Sequence, residues 1–138
     1  SNRLKSKAKT EKDQDAVQPT VINDVLIRQY FLRYNSDNFI FDQDDTPIWK
    51  LHHLQLSYKN IIEINNLQGM DRLKKLQLDN NLIVRIENLD HLVNLEWLDL
   101  SFNLIQKIEN LGSLTKLTDL SLFSNQVSRL EGLENLTL

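Results

Sequence analysis

Three histidines, His52, His53 and His91, are the side chains best suited by type to acid–base or metal chemistry near neutral pH. Their spacing works against it. His52 and His53 are neighbours in a stretch that alternates polar and apolar residues, so in a strand they point to opposite faces and do not converge on one ion. His91 falls on the other side of the repeat described below. The chain has no cysteine, which removes thiolate zinc sites, cysteine nucleophiles and disulfides, and fits a reducing compartment. A glycine-rich phosphate loop, a nucleophile elbow and a His-Glu zinc motif are all missing. The stretch NSDNFIFDQDDTPIWK at 35–50 raises calcium, because Asp42, Asp44 and Asp45 offer oxygen ligands. It lacks the turn glycine and distal glutamate of an EF-hand loop, and reads instead as an acidic surface loop whose aromatics tuck under the first repeat. Asn135-Leu136-Thr137 matches a glycosylation sequon, which is incidental in a cysteine-free chain. No enzymatic activity, cofactor or metal is expected.

What the chain does contain is a repeat. From Leu51 it can be cut every 22 residues into 51–72, 73–94, 95–116 and 117–138, and the pieces superimpose. LKKLQLDNNLIVRIENLDHLVN, LEWLDLSFNLIQKIENLGSLTK and LTDLSLFSNQVSRLEGLENLTL follow a looser first copy, LHHLQLSYKNIIEINNLQGMDR. A fixed period headed by LxxLxLxxN is the leucine-rich-repeat signature. The implied fold is an α/β solenoid of 22-residue coils, with one short strand per coil stacked into a parallel sheet on the concave face. Leu76-Gln77-Leu78, Leu98-Asp99-Leu100 and Leu120-Ser121-Leu122 have the period of a strand with one buried face. Ile83 and Ile86, Ile105 and Ile108, and Val127 and Leu130 return the chain through the interior. Leu89, Leu92, Leu111 and Leu114 close the convex side in short helical turns. A single coil has nowhere to bury these residues, and stacking buries them at about 1.5 to 3 kcal/mol per large side chain.

Asn81, Asn103 and Asn125 recur at the ninth position, where the chain leaves the strand and backbone groups lose their ladder partners. An asparagine amide can donate to one coil and accept from another, and losing it costs about 1 to 3 kcal/mol through unsatisfied polar groups. These three form a structural ladder. The first coil has Lys59 at this position, which predicts an end coil less tightly closed. The fourth coil reaches Leu138 with no polar capping segment, so the sequence reads as a fragment of a longer chain.

Between the buried leucines, three rows of side chains project from the concave sheet. They are His53, Lys75, Trp97 and Asp119; Gln55, Gln77, Asp99 and Ser121; and Ser57, Asp79, Ser101 and Phe123. Trp97 and Phe123 should face solvent beside Asp99 and Asp119, with Tyr58 and Phe102 near the edge. Aromatic anchors rimmed by polar groups are what protein interfaces use, so this face is the candidate partner site.

Ahead of the repeats, residues 1–17 are polar and charged with no apolar period, and read as a flexible tail. Arg3, Lys5, Lys7, Lys9 and Lys12 make it a contact for an acidic surface. Thr20, Asn23 or Asp24 can cap a helix over 21–33, in which Ile22, Leu26, Tyr30 and Arg33 share a face flanked by Val25 and Leu32. Its role is to cover the first coil, so 18–50 forms a helical N-terminal cap with its acidic loop. A net charge of −3 lacks the basic excess of a nucleic-acid-binding domain, and no run approaches the roughly 18 to 20 apolar residues that span a bilayer.

The wording of the repeats is more specific than their period. LQLDNN at 76–81, WLDLSFN at 97–103 and DLSLF at 119–123 with Asn125 resemble consecutive repeats of the dynein regulatory complex subunit 3 family. LQLSYKNII at 54–62 and VINDVLIR at 21–28 are similar to its N-terminal region. The resemblance implies a structural subunit of the nexin–dynein regulatory complex, cytoskeletal, in the axoneme of a motile cilium or flagellum. Its partners would be other subunits of that complex and axonemal dyneins, in a hetero-oligomeric assembly that includes no nucleic acid and no membrane. Other proteins of the same repeat class, a nuclear phosphatase regulator and a spliceosomal subunit, are the alternatives. On this reading Trp97→Ala weakens partner binding and leaves the melting temperature nearly unchanged, and loss of folding would instead place Trp97 in the core.

Overall fold

The computed structural model of the chain describes residues 18–34 and 48–138. The expectations for the tail at 1–17 and the acidic stretch at 35–47 lie outside the described residues. Four strands, β1 (His53–Gln55), β2 (Lys75–Gln77), β3 (Trp97–Asp99) and β4 (Asp119–Ser121), form one parallel sheet in chain order. The register advances by one repeat at each step, aligning His53, Lys75, Trp97 and Asp119. The central leucines Leu54, Leu76 and Leu98 are buried, as are Leu56, Leu78 and Leu100 beyond the strands.

Ile61, Ile83 and Ile105 turn the chain inward, and Ile64, Ile86 and Ile108 continue below the sheet, all of them buried. The helical turns expected on the convex side are reduced to successive i→i+3 turns. The Leu92 N–H donates to Leu89 O at 2.9 Å, and the Leu95 N–H to Leu92 O at 3.0 Å. Three-residue steps keep Leu89, Leu92 and Leu95 on one inward side with no room in the coil for a longer helix. The fourth coil departs from this pattern. Val127 is only partly buried and Leu130 is 88% exposed, because no described coil lies over them.

The ninth-position asparagines connect coils. Asn103 Nδ2 donates to Leu78 O of the preceding coil at 2.9 Å and to Leu100 O of its own at 3.0 Å, while Oδ1 accepts from Ile83 N at 3.0 Å. Asn81 does the same for the first coil, donating to Leu56 O and accepting from Lys59 N and Ile61 N. Asn125 bonds to Leu100 O and Ile105 N. The amide therefore completes the turn of the coil before it. The turn at Lys59 is itself closed by Asn81. The looser first coil expected from Lys59 is not found: Leu54, Leu56, Ile61, Ile64 and Leu67 are fully buried.

A second asparagine row runs along the convex side. Asn66, Asn88 and Asn110 have φ of 58°, 58° and 61°, and each donates at 2.8 Å to a carbonyl behind it: Ile22 O, Ile64 O and Ile86 O. Asparagine tolerates the left-handed region better than other residues with a Cβ. At the fourth station Gly132 has φ 73°, and a Cβ there would lie 2.5 Å from Ile108 O. The row has its own sequence signal, asparagine every 22 residues, which the leucine pattern overshadows.

Ile22 thus stands where a preceding coil would place its isoleucine. Thr20 pairs in parallel with Ile61, and its N–H donates to Asn60 O at 3.1 Å, so this stretch runs as a partial coil against the first. That is why the helix α1 (Asp24–Tyr34) begins later than the 21–33 expected. Asn23 caps it, its Oδ1 accepting from Leu26 N at 2.9 Å. With Ile22 outside the helix, the inward face turns to Ile27, fully buried, with Leu26 and Tyr30 beside it. Val25, expected to flank the core, is 63% exposed. Arg33 is also exposed, and the Leu32 side chain lies outside the described ones. A single 3₁₀ turn at Ile48–Lys50 buries Ile48 and leaves Trp49 exposed, contrary to the aromatic packing expected there; Phe39 and Phe41 lie outside the described residues.

Two stability outcomes follow from the asparagine rows. Asn103→Ala should lower unfolding free energy by about 1 to 3 kcal/mol, and Lys59→Asn should change it by less than about 0.5 kcal/mol, measured by denaturant titration. In the convex row the usual order reverses: Asn88→Gly should cost about 1 kcal/mol less than Asn88→Ala, because alanine loses the hydrogen bond and also strains the left-handed backbone.

Candidate docking face

Side chains at alternate strand positions leave the sheet away from the core, and the parallel register lines them up from coil to coil. His53, Lys75 and Trp97 are half-buried and Asp119 is exposed; Gln55, Gln77, Asp99 and Ser121 are half-buried. In the third row Ser57 and Asp79 are half-buried and Phe123 is 70% exposed. Ser101, expected on this face, is instead only 6% exposed, with its hydroxyl on that of Ser121 and its N–H donating to Asp99 Oδ1 at 2.9 Å, so it supports its neighbours and presents little surface.

The two ends of this face differ. At the N-terminal end His53 is already engaged, with Nε2 2.9 Å from Gln77 Oε1 and Nδ1 3.4 Å from the Tyr30 hydroxyl. The Tyr30 ring meets it edge-on. Ser57 donates to Asp79 Oδ1 at 2.6 Å, and Asn80 Nδ2 donates to Asp79 Oδ2 at 2.8 Å. Helix α1 and the first coil leave a cavity of about 190 Å³ between them, lined by Tyr30, Arg33, Gln55, Ser57 and Lys59 among others. Trp97 is less open than expected, because the Lys75 ammonium lies 4.2 Å from its ring centroid and covers one face.

Apolar surface concentrates instead at the rim of the third and fourth coils. Phe102 and Phe123 meet edge-to-face with centroids 5.6 Å apart, and Phe102 is 50% exposed. Phe102 has φ 54° and stands one residue before the asparagine ladder, where Asn80 and Ser124 have φ 55° and 52° in their coils. Tyr58 has the same geometry at φ 57° and is 75% exposed. The sharp turn is imposed by the backbone, whose Phe102 N–H donates to Phe123 O at 2.8 Å. A bulky side chain in this region costs roughly 1 to 2 kcal/mol that asparagine largely avoids. The exposed ring contributes little burial in return, and such strain gathers at functional surfaces.

On the flank, Ile62, Leu82, Val84 and Leu104 form a second, aliphatic strip, 38–48% exposed. They alternate with the inward isoleucines, a pattern visible in the sequence beside Ile83 and Ile105. Arg85, one residue past Val84, and Lys107, its counterpart one repeat later, both reach Glu109, at 3.0 and 4.0 Å.

The histidines do not converge. His52 is exposed, His53 belongs to the sheet face, and His91 Nε2 is 2.9 Å from Leu67 O on the convex side. Among the described residues no group of three or more His, Cys, Asp or Glu is placed to hold a metal ion. No helix among them is long and apolar enough to cross a membrane.

A family model described as Leucine Rich repeats (2 copies) matches residues 93–135. Among solved structures the chain is similar to an internalin (inlF) of Listeria monocytogenes, at 33% identity and a TM-score of 0.58 over 66% of this chain and 28% of that one. It is also similar to internalin C2 of the same bacterium, at 33% identity and a TM-score of 0.56, over 69% of this chain and 45% of the other. The chain thus spans less than half the length of either internalin. No curated protein matches it. The stacked parallel strands, the repeat match and these two likenesses agree that the chain is a leucine-rich-repeat protein folded as an α/β solenoid.

Proposed function

We propose that this chain is a non-catalytic protein-docking module, and that the protein it belongs to is a structural subunit of the nexin–dynein regulatory complex of motile cilia. The observation that carries the docking role is the Phe102–Phe123 pair, exposed on the rim of a polar sheet face, with Phe102 held there in a backbone conformation unfavourable to phenylalanine. Trp97, Asp99 and Asp119 lie inside that rim, where a partner would meet them together. The fold sets no chemistry of its own, since the repeat's invariant side chains are all used in stacking.

The axonemal assignment rests on the repeat wording, LQLDNN, WLDLSFN and DLSLF, and on the similarity of VINDVLIR to the same family ahead of the repeats. In that setting the solenoid helps to build the link between doublet microtubules and to pass regulation to dynein motors.

Affinity purification of the tagged full-length protein from ciliated cells tests this. Recovery of other nexin–dynein regulatory subunits and inner-arm dyneins is the expected result. Recovery of a phosphatase catalytic subunit or of spliceosomal proteins, without axonemal components, overturns the axonemal assignment. Phe102→Asn separates stability from docking: it should raise unfolding free energy by about 0.5 to 1 kcal/mol by relieving the backbone, and weaken partner capture. Unchanged capture would remove the rim from the interface.

A further inference from the structure

The sheet face is unbalanced in charge. Its three rows contain three carboxylates, Asp79, Asp99 and Asp119, against one cation, Lys75. Asp79 is occupied by Ser57 and Asn80, and Lys75 by the Trp97 ring. Among the described residues neither Asp99 nor Asp119 has a cation: the ion pairs are Lys74–Glu96, Arg85–Glu109 and Lys107–Glu109. Asp99 Oδ1 accepts from Ser101 N, and Asp119 Oδ2 from Thr118 Oγ1 at 2.8 Å, which orients both groups and, among the described residues, leaves one oxygen of each unbonded. The two stand on adjacent strands, two residues apart along the sheet, since Asp99 pairs with Ser121 and Trp97 with Asp119. The Phe102–Phe123 pair borders them on one side and Trp97 on the other.

We propose that this end of the face takes a basic, apolar segment of a partner protein, with a lysine or arginine between Asp99 and Asp119 and a large apolar side chain on the Phe102–Phe123 pair. The proposal rests on the docking role argued above and names the chemistry of the partner. A cation brought between two oriented carboxylates makes charge-assisted hydrogen bonds, and an adjoining apolar group shields them from water. Lys75 over Trp97 is the same combination, cation on aromatic, made within the chain one strand away. Nucleic acid is disfavoured here, because its phosphates would face uncompensated carboxylates. An acidic segment meets the same repulsion.

The test uses the purified 138-residue chain and three fluorescent peptides of about twelve residues, enough to cross the sheet. One alternates Arg or Lys with Leu or Phe, the second has Glu in place of the cations, and the third has Ser in place of the apolar residues. Fluorescence anisotropy should show the first binding at least about tenfold tighter than the other two, and weakening as salt rises. Asp99→Asn with Asp119→Asn should reduce that binding about tenfold, while Glu87→Gln with Glu131→Gln on the convex side leaves it unchanged. Circular dichroism should show the same folded spectrum for both variant pairs. Equal binding of the basic–apolar and acidic–apolar peptides, or binding indifferent to the two aspartates, overturns the proposal. The same variants in the tagged full-length protein distinguish the two levels. Partner capture that falls with Phe102→Asn but not with Asp99→Asn and Asp119→Asn sinks the basic-segment proposal and keeps the docking face. Capture unaffected by any of them sinks both.

Discussion

Each turn off a strand leaves backbone N–H and C=O groups between coils, out of reach of water, and the group that satisfies them belongs to the next coil. Asn103 is bonded to Leu78 O and Ile83 N, both one coil back, while its own turn depends on Asn125. A coil is therefore chemically complete only when a neighbour is stacked on it. The leucines obey the same rule, because Leu76 or Ile83 is buried only between layers. Hydrophobic burial and polar satisfaction thus act between the same neighbours, which makes stability a sum of nearest-neighbour terms. The second asparagine row extends the rule to the convex side and draws Ile22 into the series as a partial preceding coil.

That division of labour leaves the binding surface free to vary. The inward leucines, isoleucines and ladder asparagines are committed to stacking, whereas the outward rows meet no coil and can hold any side chain. In this chain the first coil's share of the face is drawn into the cap through Tyr30 and His53, and the third and fourth coils have the exposed aromatic rim and the unpaired aspartates. The surface ion pairs, such as Lys74–Glu96 at 3.7 Å with both side chains more than half exposed, add little to stability. The likeness to the internalins is one of fold and says nothing about what the rows bind.

The 22-residue period, the inward positions and the strand alternation were legible in the amino-acid sequence because each follows from local periodicity repeated at fixed spacing. Leu54, Leu76 and Leu98 are buried for the reason their alternation predicts. Contacts between residues far apart were not legible. The phase of α1 changed because Ile22 bonds to Asn66, 44 residues away, which exposes Val25 and buries Ile27. Ser101 was withdrawn from the surface by Ser121, Trp97 was half-covered by Lys75, and His53 was engaged by Tyr30. Lys59, which reads as a defect in its own coil, is harmless because the amide that closes that turn comes from Asn81. Sequence by itself therefore determined the coil and its repetition, since these depend on spacing. Tertiary structure decided which outward side chains remain available, since that depends on which neighbour reaches each polar group first.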